Sequence, residues 1–193
     1  MSSHTSRSAS ELSAAERAFY SRQLILPEMG YEAQLALKGA RVVVLGAGGL
    51  GAPSLLYLAG AGVGHIVVID DDRVDTSNLH RQVIHTYARV GNSKAESAAE
   101  SLRALNPHIQ VDAVCARLAV ENVDELLAGA DLVLDGSDNF ESRYLVSEAA
   151  ARAGIPHVWA AILGFDAQLS VFWAGHGPVY EDLYPHAPAE GSV

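Results

Sequence analysis

Apolar positions along this chain fall into short, nearly unbroken runs, and the longer segments between them carry helical spacing. VVVL at Val42–Leu45 and IVVI at Ile66–Ile69 are continuous and rich in β-branched residues. Runs of that kind belong to strands covered on both faces, as in a parallel sheet. The first strand is expected over Arg41–Leu45 and runs directly into a glycine-rich turn. A helix follows over Leu50–Ala61, with Pro53 in its first turn, where a missing N–H costs little. Further strands are expected at His65–Asp70, Gln110–Cys115, Asp131–Asp135 and His157–Ala160. Helices are expected at Ser93–Leu105, stopped by Asn106-Pro107, at Val120–Leu127, and at Asn139–Ala153, stopped by Gly154 and Pro156. A helical arm over Leu12–Leu26 precedes them, with Ser13 and Glu16 at capping-box spacing. Gln168–Trp173 alternates and reads as an antiparallel strand, whereas Gly175–Val193 shows no periodicity and reads as irregular.

Strands that alternate with helices imply right-handed crossovers and a parallel sheet. The expected fold is therefore α/β: a Rossmann-like, doubly wound, mainly parallel sheet with helices on both faces and an antiparallel extension near the C-terminus. The Ser-rich residues 1–12 are expected to be a disordered tail.

Composition narrows the function classes. A chain of 193 residues supports one domain with a real core. No apolar run is long enough to span a bilayer, and no charged segment followed by an apolar stretch opens the chain, so neither membrane nor secretion is expected. The net charge of −10, with no basic stripe, argues against nucleic acid as a partner. Cys115 is the single cysteine, which excludes an internal disulfide and fits a cytoplasmic home.

The chemistry-bearing residues lie between Arg41 and Asn139 in a fixed order. GAGGLG places Gly46, Gly48 and Gly51 in G-x-G-x-x-G spacing with Gly49 among them, between a strand and a helix. Glycines there let the backbone approach phosphate, and the helix N-terminus supplies free N–H groups. Asp70 stands where an acid binds ribose hydroxyls in such folds, or else it is a solvated strand end. Asp72 is a candidate metal or ribose contact, while Asp71 and Asp75 read as surface charges.

Ser77, Asn78 and Arg81 follow in SNLHRQ. Arg81 is able to fork onto phosphates, with Asn78 bonding phosphate or positioning it; the plain alternative is a surface loop. Lys94 opens the next helix and either reaches phosphate or is solvated. Asp138 and Asn139 close the fourth strand at the sheet edge. Asp138 is placed to hold Mg²⁺ against phosphates, and both residues also suit an N-cap. The glycine turn and Asp70 alone would fit a nicotinamide dinucleotide. Arg81, Lys94 and Asp138 are cationic or metal-seeking groups that such a site does not need, which points to ATP.

Other candidates are set aside. Cys115 is expected to be buried packing and not a nucleophile. The histidines, His176 and His186 included, show no ligand spacing. Trp159, Phe165, Phe172 and Trp173 are expected in the core.

YSRQLILPEMG (Tyr20–Gly30), VVVLGAGGLGAP, VVIDDDRVDTSNLHRQ, VGNSKAES, LNPHI and VLDGSDNFESRY together resemble the ThiF/MoeB/HesA family of ubiquitin-activating-type adenylyltransferases. The resemblance runs from about Ala18 onward. It implies Mg-ATP as cofactor, and as partner a ubiquitin-like sulfur carrier whose Gly-Gly C-terminus is adenylated with release of pyrophosphate. It also implies a homodimer. By the same resemblance Gly49 lies under the nucleotide, Asp70 binds ribose, Asn78, Arg81 and Lys94 hold phosphates, and Asp138 binds Mg²⁺. Arg22 would reach the partner subunit's site. The segment 13–193 is then a nucleotide-binding domain of this type.

Two departures accompany the resemblance. Many members carry a Cys-x-x-Cys pair where Val179 and Asp182 stand here, so no structural zinc is expected. Members also continue past the position of Val193, and EDLYPHAPAEGSV resembles MoeZ-type members that run on into a rhodanese domain, so the domain is expected to be incomplete at its C-terminus. The competing expectations are a non-catalytic form that binds nucleotide or partner, and a NAD-dependent oxidoreductase.

Overall fold

The computed structural model describes residues 11–187. Helices α1 (Ala14–Phe19), α2 (Ser21–Leu24) and α3 (Gly30–Gly39) lead into β1 (Arg41–Leu45). There follow α4 (Gly51–Ala61), β2 (His65–Ile69), α5 (Lys94–Leu105), β3 (Gln110–Val114), α6 (Val123–Leu127), β4 (Leu132–Asp135), α7 (Phe140–Ala153), β5 (His157–Leu163), β6 (Asp166–Phe172) and α8 (Tyr180–Leu183). The strands form one six-stranded sheet in the order β3-β2-β1-β4-β5-β6. All pairings are parallel except β5 with β6, so the Rossmann-like architecture expected from the pattern is present.

The unbroken apolar strands are explained by their two faces. Val42 and Val44 of β1, with Ile66 and Val68 of β2, pack under Ala52, Leu55 and Ala59 of α4 and Ala95, Ala98 and Leu102 of α5. The alternate residues Val43, Leu45, Val67 and Ile69 face Val123, Leu127, Val146 and Ala150 of α6 and α7. Small residues on α4 and α5 let those helices lie close to the sheet. Both layers are buried apolar surface, which drives folding at roughly 25 cal/mol per Å² removed from water.

Strand order reverses between β1 and β4. The chain leaves β1 toward β2 on one side, and returns after β3 to lay β4 on the other. Loops at the C-terminal ends of β1 and β4 therefore diverge and leave a crevice, the place where open α/β sheets hold ligands.

Several elements differ from expectation. The helical arm breaks at Tyr20 into α1 and α2. Its Ser13–Glu16 capping box forms as expected, with Glu16 N–H on Ser13 Oγ at 3.2 Å and Ser13 N–H on Glu16 Oε2 at 2.7 Å. The helix α3 was not expected; it begins at Gly30 without a side-chain cap and so carries no start signal. β5 and β6 extend into a hairpin around Gly164, whose φ of +62° glycine adopts freely. That turn leaves Phe165 fully exposed, correcting its expected core position, while Trp159 and Phe172 are buried against Tyr180. The segment expected to be irregular contains α8, and residues 188–193 lie outside the described residues. So does nearly all of the expected N-terminal tail; of it, Leu12 is buried and its N–H meets Tyr31 Oη at 3.2 Å. Among the described residues no helix is long and apolar enough to cross a membrane.

Candidate functional site

The glycine turn is shaped by contacts that no side chain would allow. Gly46 has φ +88°, and a methyl group added at Gly51 would lie 1.8 Å from Gly46 O. Gly51 is thus where the backbone crosses itself as α4 begins. By contrast Gly48 and Gly49 have ordinary room around them: their nearest neighbours are Gln82 Nε2 at 3.6 Å and Arg81 Cδ at 3.7 Å from a built methyl. Gly46 and Gly51 build the turn, while Gly48 and Gly49 lie beside Gln82 and Arg81 with room for a methyl group.

Asp70 follows β2 and faces the turn. Its Oδ2 accepts the Ala47 N–H at 2.7 Å, and its Oδ1 accepts the Asp72 N–H at 2.9 Å. After Asp70 the chain folds back on itself: residues 72–74 run antiparallel to 91–94, with Val74 N–H on Asn92 O, Gly91 N–H on Val74 O and Lys94 N–H on Asp72 O. This ribbon carries Lys94 to the start of α5 beneath Asp72. Lys94 is buried, against the plain expectation of a solvated helix lysine, and its Nζ meets Asp72 Oδ2 at 2.7 Å. Asp72 Oδ2 is thus engaged with the lysine, while its Oδ1 has no partner among the described residues.

Ser77 and Asn78 lie on a 3₁₀ turn whose cap is Asp75. Its Oδ1 accepts the Ser77 hydroxyl at 2.6 Å and the Ser77 N–H at 2.8 Å, and those bonds hold the Asp75 carboxyl below the usual range. Asp75 is an exposed surface charge, as expected, and also caps this turn. Arg81 is exposed; its guanidinium touches His80 Nε2 at 3.0 Å and its stem lies against Gly49.

At the end of β4, adjacent residues divide their tasks. Asn139 Oδ1 caps α7 by accepting the Ser142 N–H at 2.9 Å. Asp138 is exposed and its carboxylate has no partner among the described residues. Asp135, one turn back, is buried and spends its oxygens on Ser137 N–H and His157 Nε2. Arg22 is exposed on α2, without a partner among the described residues.

The sequence reading missed Gln82, His85 and Ser97. Gln82 is buried beside Gly48. His85 is buried between the turn and α5, with Nε2 3.0 Å from Ala47 O and Nδ1 2.9 Å from Ser97 Oγ. The absence of ligand spacing that set the histidines aside gives no signal for such a contact. Cys115, expected to be buried, is exposed: β3 ends at Val114, which leaves the cysteine on the following loop with Sγ 3.0 Å from Ser93 Oγ. No group of three or more His, Cys, Asp or Glu side chains among the described residues is arranged to hold a metal. A cavity of about 350 Å³ lined by Asp124, Leu127, Ala149 and Ile155 opens beside the loop that enters β4.

A glycine turn at the switch point of a doubly wound sheet, with an acid after the second strand, defines the Rossmann-like class of α/β proteins. Within that class the chain belongs to the ThiF family, whose description matches residues 20–193. It is 56% identical over 189 residues to a probable adenylyltransferase/sulfurtransferase MoeZ of Mycobacterium tuberculosis, covering 96% of this chain and 48% of the relative. It is 51% identical over 179 residues to a sulfur carrier protein adenylyltransferase of Thermus thermophilus, covering 90% of this chain and 66% of the relative. The fold is similar to the crystal structure of E. coli MccB with ATP, at a TM-score of 0.70 and 30% identity over 77% of this chain and 44% of the other. The chain thus spans about half the length of the mycobacterial protein.

Proposed function

We propose that this chain forms the nucleotide site of an adenylyltransferase that activates the C-terminal glycine of a ubiquitin-like sulfur carrier. The observation that carries the reading is a pair of cations about the glycine turn and the end of β2: Arg81 against Gly49, and Lys94 buried on Asp72, whose N–H bonds Asp70. Hydride transfer has no use for them, whereas departing pyrophosphate does. The names of the mycobacterial and Thermus relatives and the ATP of the MccB structure agree with this reading.

In this reading the N–H groups of Gly48 and Gly49 face the nucleotide, with Gly46 and Gly51 shaping their turn. Asp70 takes a ribose hydroxyl, Ser77 and Asn78 hold the loop and a phosphate oxygen, and Arg81 and Lys94 neutralise charge as the carrier carboxylate attacks the α-phosphorus and pyrophosphate leaves. Preorganised cations there lower the barrier without a general base, because the carboxylate is already ionised near neutral pH. Asp138, unpartnered at the strand end, suits Mg²⁺, which favours one or two carboxylates together with phosphate oxygens; when bound, that ion would withdraw charge from the phosphates. Asn139 stays with its helix cap. Arg22, exposed on the arm, suits a role across a homodimer, and the chain would work in the cytoplasm.

ATP–pyrophosphate exchange with a Gly-Gly-ended sulfur carrier and Mg²⁺ tests this. Carrier-dependent exchange is expected, falling by at least about 100-fold in Arg81→Ala. ATP binding without exchange would instead support a nucleotide-binding form that does not complete the reaction, and NADH binding without ATP binding would overturn the assignment.

A further inference from the structure

The loop after β2 backs the glycine turn residue by residue: Arg81 against Gly49, Gln82 against Gly48 and His85 against Ala47. Only the last of these is a buried hydrogen bond to the turn backbone. Ala47 is held at both ends, its N–H by Asp70 Oδ2 at 2.7 Å and its carbonyl by His85 Nε2 at 3.0 Å. The far ring nitrogen meets Ser97 Oγ at 2.9 Å, one helical turn from Lys94 on α5. Lys94 grips Asp72, whose N–H returns to Asp70 Oδ1. The contacts close a circuit through the turn, the end of β2 and the start of α5.

We infer that His85 is a positioning residue for the nucleotide: its imidazole, braced by Ser97, holds the Ala47 carbonyl so that the following amides of the turn stay aimed outward and Lys94 keeps its place. A carbonyl only accepts, so Nε2 carries the proton, and Nδ1 of the neutral ring accepts the Ser97 hydroxyl. With His85 5% exposed, no water replaces it easily, and a buried carbonyl left bare is costly enough to reorient the turn. The inference rests on the turn being the nucleotide site, and no contact between His85 and ATP is involved.

The test compares ATP dissociation constants, by calorimetry under conditions where circular dichroism shows every variant folded, with the protonated ring nitrogen read by NMR of ¹⁵N-histidine protein. His85→Phe fills the space without a donor and is expected to weaken ATP binding about tenfold or more. His85→Gln places an amide donor near the Nε2 position and is expected to stay within about threefold of wild type, a rescue that loss of packing would not show. Ser97→Ala, which keeps the ring, should fall between them and serves if His85→Phe does not fold. Wild-type affinity in folded His85→Phe, or a proton on Nδ1 instead of Nε2, overturns the inference and leaves the adenylyltransferase reading standing. Absence of ATP binding by the wild type sinks both.

Discussion

Lys94 Nζ and Asp72 Oδ2 lie 2.7 Å apart, yet the lysine side chain is 7% exposed and the aspartate 67%. A buried cation here depends on a carboxylate that stands in water. Removing that carboxylate leaves an ammonium without its counter-charge, which costs more than loss of an ordinary surface pair. Asp72→Ala is expected to destabilise the ligand-free protein by about 1–2 kcal/mol. Bound polyphosphate would supply the missing charge, so the rise in Tm on adding Mg-ATP should be larger in the variant than in the wild type. Paired thermal melts check it; an equal rise would mean that phosphate does not reach Lys94.

The glycines of the turn should separate by function. Gly51→Ala forces a methyl group to 1.8 Å from Gly46 O, between two backbone segments that cannot yield. A loss of more than about 3 kcal/mol, or failure to fold, is expected. Gly49→Ala has room in the protein, with its nearest neighbour at 3.7 Å on the flexible Arg81 stem. Its urea midpoint should match the wild type while ATP binding falls, because the added methyl stands on the surface the phosphates approach.

Asn139 and Asp138 give a matched pair. Asn139→Ala removes the α7 cap and is expected to cost about 1 kcal/mol of stability with exchange activity largely kept. Asp138→Asn breaks no contact among the described residues and should leave Tm unchanged. Exchange should fall sharply in it and respond differently to Mg²⁺ concentration. Unfolding curves and a magnesium titration of exchange distinguish the two.

Burial pushes the His85 pKa down, and Lys94 and Arg89 nearby add to that, outweighing the Ala47 carbonyl and Asp70, which favour the proton. The folded state therefore binds a proton less readily than the unfolded chain. The stability this group contributes is complete above the ordinary histidine range near pH 6.5 and is lost as pH falls below it. The urea midpoint should drop between pH 7 and pH 5, and His85→Gln should flatten that part of the profile. A profile unchanged by the substitution would show that folding does not shift the His85 pKa.

Where the sequence was readable, local signals and burial agreed. β1, the glycine turn and α4 were legible because a two-sided apolar strand, a glycine run and Pro53 all mark one strand–turn–helix unit. The candidate site was legible as residue types, and in part as neighbours: the antiparallel ribbon that buries Lys94 under Asp72 has no sequence period to announce it. The antiparallel pairing of β5 with β6 was legible, but the extension of both strands to the turn at Gly164 was hidden because Ile162, Leu163 and Phe165 are apolar and still exposed, so alternation fails there. Cys115 was misplaced by a single residue, since β3 stops at Val114. His85 was invisible because its partner is a backbone carbonyl 38 positions away.

The spacing between Arg81 and His85 is constrained as much as their identity. One residue inserted or deleted between Gln82 and His85 would move His85 out of register with Ala47 while Arg81 and Gln82 stayed opposite Gly49 and Gly48. Tolerance to length variation in this loop should accordingly be low, since Gln82, Ile84 and His85 are buried in it, and a deletion scan through residues 79–86 should lower ATP affinity and the urea midpoint together.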